Sequence, residues 1–173
     1  EEKQIGISRL EQVRDIFLFC CLTGLAYVDV ASLSTENIVE GKRGRQWLRK
    51  ARNKTNNMCN IPLLRPVLRI LEKYAEYRAA TGRLLPVPSN QKMNAYLKEL
   101  ATLCGVAKNL TTHCARHTFA TTVTLANGAS LENVSKMLGH SSIRMTQHYA
   151  KILNSSIERD MDKIESELIG EDE

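Results

Sequence analysis

His113-Cys114-Ala115-Arg116-His117-Thr118-Phe119-Ala120-Thr121, then Leu138-Gly139-His140, then Thr146-Gln147-His148-Tyr149, is the stretch on which the reading of this chain turns. All 4 histidines fall inside it, at 113, 117, 140 and 148. Thr111 or Thr112 can cap a helix here, and residues three apart on a helix share a face. His113 and Arg116 therefore point together from its first turns, where helix N-termini favour a phosphate. Arginine can grip two phosphate oxygens through parallel hydrogen bonds. Taken alone, a His and an Arg one turn apart make an ordinary helix surface.

Outward from this block the chain reads as mainly α with a small antiparallel β-sheet. Ser8 can cap a helix from Arg9 to Thr23-Gly24, with Leu10, Val13, Ile16-Phe17 and Cys20-Cys21 on its core face. A short helix covers Val28 to Leu33, and Ser34-Thr35-Glu36-Asn37 reads as a turn or another cap. Gly41 and Gly44 punctuate a turn before a strand over Gln46 to Ala51. Asn53-Lys54-Thr55-Asn56-Asn57 forms a hairpin tip, and Met58 to Leu63 is the returning strand. Helices are predicted from Pro66 to Ala80, with Tyr74 and Tyr77 on the inner side, and from Ser89-Asn90 to Gly105, with Met93, Tyr96-Leu97, Leu100 and Leu103 as a stripe. Three more follow: Thr112 to Asn127, Ser130 to Leu138 and Ser142 to about Ile152. A last amphipathic segment, about 156–169, carries Ile157, Met161, Ile164 and Leu168 in one stripe.

The chain has 173 residues, enough for one domain with a substantial core. Its formal charge of +5 suits a polyanionic partner. Lys42, Arg43, Arg45, Arg49, Lys50, Arg52 and Lys54 form a basic run without an acid, whereas the end from Glu158 onward is mostly acidic. The 5 cysteines lack zinc-ligand or redox spacing, and Cys20, Cys21 and Cys104 read as buried thiols of a reducing compartment. No Asp/Glu cluster or Cys/His set argues for a metal, and no apolar run is long enough for a bilayer. With 1 Trp and 3 Phe there is little for base stacking. The expectation is a soluble, cytoplasmic protein, and the start at Glu1 without Met points to a domain of a longer chain.

The string from His113 to Tyr149 resembles the signature of the tyrosine recombinases, the phage-integrase family. Two further regions carry the resemblance. Lys54-Thr55 followed by Ile61-Pro62-Leu63 looks like the family's lysine-bearing hairpin, and Thr23-Gly24-Leu25 with Asp29-Val30 and Leu33 looks like its Thr-Gly-Leu-Arg motif. Here the chain departs from the pattern: the family's first arginine falls on Ala26, and alanine cannot bind phosphate. Residues two apart on a strand face one side, so Arg52 and Lys54 project together if the strand runs into the turn without a bulge. Arg52 is thus the candidate substitute. An Arg-x-Lys-Thr hairpin beside an Arg-less Thr-Gly-Leu block is similar to integrases of Bacteroides-type mobile elements.

The resemblance implies a transesterification without metal or ATP, acting on double-stranded DNA at the bacterial nucleoid. Tyr149 attacks a phosphodiester, giving a 3′-phosphotyrosyl link and a 5′-hydroxyl; His113 takes the tyrosine proton and Lys54 protonates the leaving oxygen. Arg116, His140 and Arg52 hold the non-bridging oxygens, Asp29 steadies the site and His117 is structural. Lys42, Arg43, Arg45, Arg49 and Lys50 are expected at the DNA backbone. Family members act as homo-tetramers that pass their last helix to a neighbour, and the 156–169 stripe fits docking in trans or in cis. Two other readings stand beside this one: a domain of the same fold impaired by Ala26, and a type IB topoisomerase, which shares the chemistry.

Overall fold

The computed structural model describes residues 5–150, 161–162 and 164–166. Eight α-helices among them are α1 (Ser8–Thr23), α2 (Tyr27–Ala31), α3 (Arg65–Lys73), α4 (Ala75–Thr81), α5 (Asn90–Leu103), α6 (Thr112–Thr118), α7 (Leu131–Leu138) and α8 (Arg144–Ala150). The strands are β1 (Ile38–Glu40), β2 (Gln46–Ala51) and β3 (Met58–Pro62). Helix α1 is the central post. Leu10, Val13, Ile16, Phe19 and Cys20 recur at helical spacing and are buried, and α3, α5 and α6 pack around them. Burying a side chain of this size fully contributes roughly 1.5–3 kcal/mol, so this face dominates the core. The helix stops at Gly24, whose φ of 69° closes the end with a hydrogen bond to the Cys20 carbonyl.

The sheet has one strand more than the sequence suggests. β1 pairs antiparallel with β2, and β2 with β3, giving the order β1-β2-β3. Three residues between a cap and a glycine turn carry too little alternation to announce a strand. The Ser34 cap itself is present as a capping box with Asn37. Leu48 of β2 and Ile61 of β3 sit in register and are buried, which fixes the inward face of the hairpin.

Several boundaries differ from the expected ones. Ile7, not Ser8, stands at the N-cap of α1. The helix expected over Pro66 to Ala80 is two helices broken at Tyr74, where Lys73 and Tyr74 both turn their side chains to the buried Asp15 of α1. The helix expected over Thr112 to Asn127 is α-helical only to Thr118; a π segment, Phe119–Thr124, and a 3-10 turn, Leu125–Asn127, complete it. Cys20 and Cys21 are buried as expected, but Cys104 is exposed and Leu103 is largely so, because α5 ends beside them at the surface. Ile157 and Leu168 lie outside the described residues, while Met161 and Ile164 are exposed. No helix among the described residues is long and apolar enough to cross a membrane.

Candidate active site

Arg116 is the centre of the site. It projects from α6, whose N-cap Thr111 accepts a hydrogen bond from the Cys114 amide. The residue is only 6% exposed. Its Nη1 donates to the Gly24 carbonyl at 2.5 Å and its Nη2 to the Leu138 carbonyl at 2.8 Å. Both acceptors are exposed by helix ends: Gly24 and Gly139, at the C-caps of α1 and α7, adopt left-handed φ values of 69° and 62°. The Thr-Gly and Leu-Gly-His turns thus exist here to aim two carbonyls at one guanidinium. Burial, and next the charge of Arg52, weaken its hold on its proton, yet arginine remains charged at any ordinary pH.

His140 follows Gly139 directly. Its Nε2 lies 3.2 Å from Arg116 Nη2 and its Nδ1 lies 2.8 Å from the hydroxyl of Thr146. Burial, followed by the charges of Arg116 and Arg52, lowers its pKa to about 4, so the ring is neutral near pH 7. Tyr149 stacks parallel to this ring, with centroids 6.2 Å apart and planes within 5°. It is 7% exposed, on the inner side of α8. On its other side His117 meets it edge-on at 4.9 Å. His117 in turn faces His113, with the two Nε2 atoms 3.0 Å apart. His117 is therefore a direct neighbour of the tyrosine, and it stands between Tyr149 and His113. Burial, and then His113 and His148, lower the His117 pKa.

Arg52 belongs to this cluster. It follows β2, and its chain packs under Gly139, where a Cβ would come within 2.9 Å of Arg52 Cδ and 2.7 Å of Cys59 Sγ. Its Nε is buried without a hydrogen bond among the described residues, 3.7 Å from the Asp29 carboxylate. Asp29 is buried at the start of α2 and accepts a 2.8 Å bond from the Asn53 amide, which ties α2 to the hairpin. Ala26 stands at the N-cap of α2, one turn away. Cys59, unremarked in the sequence, lies beneath the cluster; burial pushes its thiol up to about 11.

The expectation that Arg52 and Lys54 project together from one strand is not met. β2 ends at Ala51, Arg52 and Asn57 close the turn through a 2.9 Å backbone bond, and Asn56 takes a φ of 56°. Residues between them form the tip, so Arg52 points inward and Lys54 is exposed, with no hydrogen bond or ion pair among the described residues. The basic run is divided too. Lys42, Arg43 and Arg45 occupy the β1–β2 turn, at the far end of β2 from the tip, and a six-residue strand spans about 20 Å. Arg43 and Arg45 border a groove of about 910 Å³ with Leu63, Leu68 and Arg65. Arg49 and Lys50 lie between, on β2. Thr146 and Asn57, which donates to the Gly139 carbonyl at 3.3 Å, were not singled out in the sequence. A helical turn separates Thr146 from Tyr149, the one signal that places it on the same face.

Against known proteins, the model of the phage integrase family matches residues 8–155. The tyrosine recombinase XerD of Staphylococcus saprophyticus is 42% identical over 71 residues, covering 41% of this chain and 24% of that protein. XerD of Staphylococcus aureus strain Mu50 is 41% identical over 71 residues, again 24% of its length. The match thus spans about a quarter of the curated relatives. Among solved structures, that of XerA recombinase has a TM-score of 0.67 at 20% identity, covering 95% of this chain and 65% of that one. That of XerH recombinase bound to a palindromic difH substrate, a post-cleavage complex, has a TM-score of 0.70 at 16% identity, covering 96% and 49%. These likenesses establish the fold: mainly helical, with a small antiparallel sheet. With the family model covering nearly the whole described chain, the chain belongs to the phage integrase family.

Proposed function

We propose that residues 1–173 form the catalytic domain of a site-specific tyrosine recombinase acting on double-stranded DNA, resembling integrases of Bacteroides-type mobile elements. The observation that carries this reading is the convergence of Arg116, Arg52, His140 and Tyr149 in one partly buried cluster. Two guanidinium groups beside a tyrosine suit a phosphodiester whose negative charge grows during attack. Tyr149 Oη attacks phosphorus, a P–O(Tyr) bond forms, and the bond to the 5′ oxygen breaks. The product is a 3′-phosphotyrosyl link with a free 5′-hydroxyl, whose later attack restores a phosphodiester.

The tyrosine proton passes to the His117–His113 pair, and Lys54, exposed at the hairpin tip, delivers one to the leaving oxygen. Arg116, His140 and Arg52 hold the non-bridging oxygens, with Arg52 supplying what Ala26 cannot. Asp29 orients Arg52 through charge and the hairpin through the Asn53 amide. Arg49 and Lys50, with Lys42, Arg43 and Arg45 at the outer turn, neutralise phosphates along the duplex. Duplex phosphates recur every ~1.7 Å of axis, so a basic strand about 20 Å long meets many charges. The segment about 156–169 docks on a neighbouring copy in a homo-tetramer; exposure of Met161 and Ile164 supports this.

The test is covalent trapping on a pool of nicked duplexes of random sequence, comparing the unmutated chain, Tyr149→Phe and Arg52→Ala. An adduct that survives denaturation, absent with Tyr149→Phe, is expected. DNA binding without any adduct would favour an assembly domain of the same fold disabled by Ala26, and supercoil relaxation without strand exchange a topoisomerase.

A further inference from the structure

Arg116 fixes the protonation pattern of His140. A guanidinium has only donors, so His140 Nε2, 3.2 Å from Arg116 Nη2, must be the acceptor. A neutral ring then carries its proton on Nδ1, which donates to the Thr146 hydroxyl 2.8 Å away. Thr146 has no exposed surface and stands one helical turn before Tyr149 on α8. The chain Arg116–His140–Thr146 therefore runs from the phosphate-gripping arginine to the helix that bears the tyrosine.

In this arrangement the lone pair of His140 Nε2 faces Arg116 Nη2. A phosphate oxygen arriving there needs a donor instead. A hydroxyl, unlike a carboxylate, can serve both cases: it accepts from Nδ1–H, and on rotating about its C–O bond it donates to bare Nδ1. The ring can then carry its proton on Nε2, aimed at the phosphate, with no change in its net charge. The charged groups facing the ring are Arg116 from α6 and Arg52 from the hairpin, with Tyr149 stacked on it from α8; both arginines resist the alternative of adding a second proton.

We propose that Thr146 is a positioning residue that acts as a two-way hydrogen-bond partner, letting His140 change from acceptor toward Arg116 to donor toward the scissile phosphate. This rests on the recombinase reading for its phosphate and not for its tautomer. The experiment combines long-range 1H–15N spectra of the histidine-labelled chain with adduct formation on the nicked random duplex pool, for the unmutated chain, Thr146→Val and Thr146→Ser. The free unmutated chain is expected to show His140 protonated on Nδ1, and the isolated adduct to show it on Nε2. Thr146→Val should keep Nδ1–H in the free chain, where Arg116 still requires an acceptor at Nε2, but should not show Nε2–H in the adduct and should form it at least tenfold more slowly, while Thr146→Ser, which keeps the hydroxyl, stays within about threefold of the unmutated rate. Nε2–H in the free unmutated chain, or Thr146→Val with an unchanged rate and Nε2–H in its adduct, overturns the proposal. Equal losses in Val and Ser variants also overturn it, since they point to packing alone. If the unmutated chain forms no adduct, the recombinase reading fails, while the free-chain spectra still decide whether the proton sits on Nδ1 between Arg116 and Thr146.

Discussion

The Arg52 Nε stands 3.7 Å from the Asp29 carboxylate, too far for a good hydrogen bond, and no described residue completes its hydrogen bonding. A buried guanidinium nitrogen left unsatisfied is costly in a resting protein and useful in one that waits for an anion. Arg52→Ala is therefore expected to reduce adduct formation about a hundredfold, the ~3 kcal/mol typical of one lost oxyanion donor, while melting stays near that of the unmutated chain. Arg52→Lys should recover little, because an ammonium lacks the planar fork. Ala26→Arg in the Arg52→Ala background tests whether the two positions reach the same phosphate: partial recovery of adduct says they do, and none says that Arg52 acts elsewhere.

Gly139 connects this arginine to the loop before His140. Its φ of 62° and the 2.7 Å and 2.9 Å approaches to Cys59 Sγ and Arg52 Cδ leave no place for a methyl group. Gly139→Ala must strain the backbone by about 1–2 kcal/mol and push Arg52 or Cys59 aside. A lower Tm together with an adduct rate as poor as that of Arg52→Ala is expected. Gly82→Ala is the control: its φ is also positive, at 70°, with nothing within 4 Å of the added methyl, so it should lower Tm and leave the adduct rate unchanged.

The helices of the core and the His-x-x-Arg block were legible because periodicity and capping repeat over many residues. Arg116, His140 and Tyr149 go into one site through the resemblance to the tyrosine recombinases that their order and spacing carry. What could not be read was geometry that depends on a partner distant in sequence. Asp15, 58 residues away, accepts a hydrogen bond from Lys73 where the helix breaks, and nothing local to Lys73 announces it. Arg52 was reached for the wrong reason, from strand alternation with Lys54, whereas a turn closed by Asn57 and the Asn53–Asp29 bond turn it inward. Thr146 was hidden because a threonine on a helix is ordinary until its hydroxyl is seen against an imidazole.

The Asp15 junction gives a prediction about stability alone. Burial pushes the Asp15 carboxyl up, but bonds from Lys73 at 2.6 Å, Tyr74 at 2.9 Å and Arg14 together hold it below the usual range. Lys73 is about half exposed, so solvent screens part of this. Asp15→Asn is expected to lower stability by about 1–3 kcal/mol in denaturant unfolding, as for a buried hydrogen-bonded charge, with the adduct rate unaffected in the folded protein. An unchanged midpoint would mean that the Tyr74 break is held by the packing of α3 on α1 instead.

His140 sets the acid limit of the site. Its folded pKa of about 4 is below the ordinary histidine value of 6.5, because burial comes first and Arg116 and Arg52 add to it. At pH between these values the unfolded chain binds a proton that the folded chain does not, so stability falls as pH drops from 6.5 toward 4. Below about 4 both states are protonated and this contribution stops changing. Asp15, with its lowered pKa, also loses stability with acid, but only at pH values beneath the ordinary carboxylate range. The two are separable by subtraction: Tm is measured from pH 7.5 to 4.5 for the unmutated chain and for His140→Gln, which keeps a hydrogen-bonding side chain that does not titrate. The unmutated chain should lose Tm more steeply through this window, and the difference between the two curves should flatten above pH 7. Parallel curves would mean that His140 keeps an ordinary pKa, and with it that the ring is not held neutral between Arg116 and Thr146.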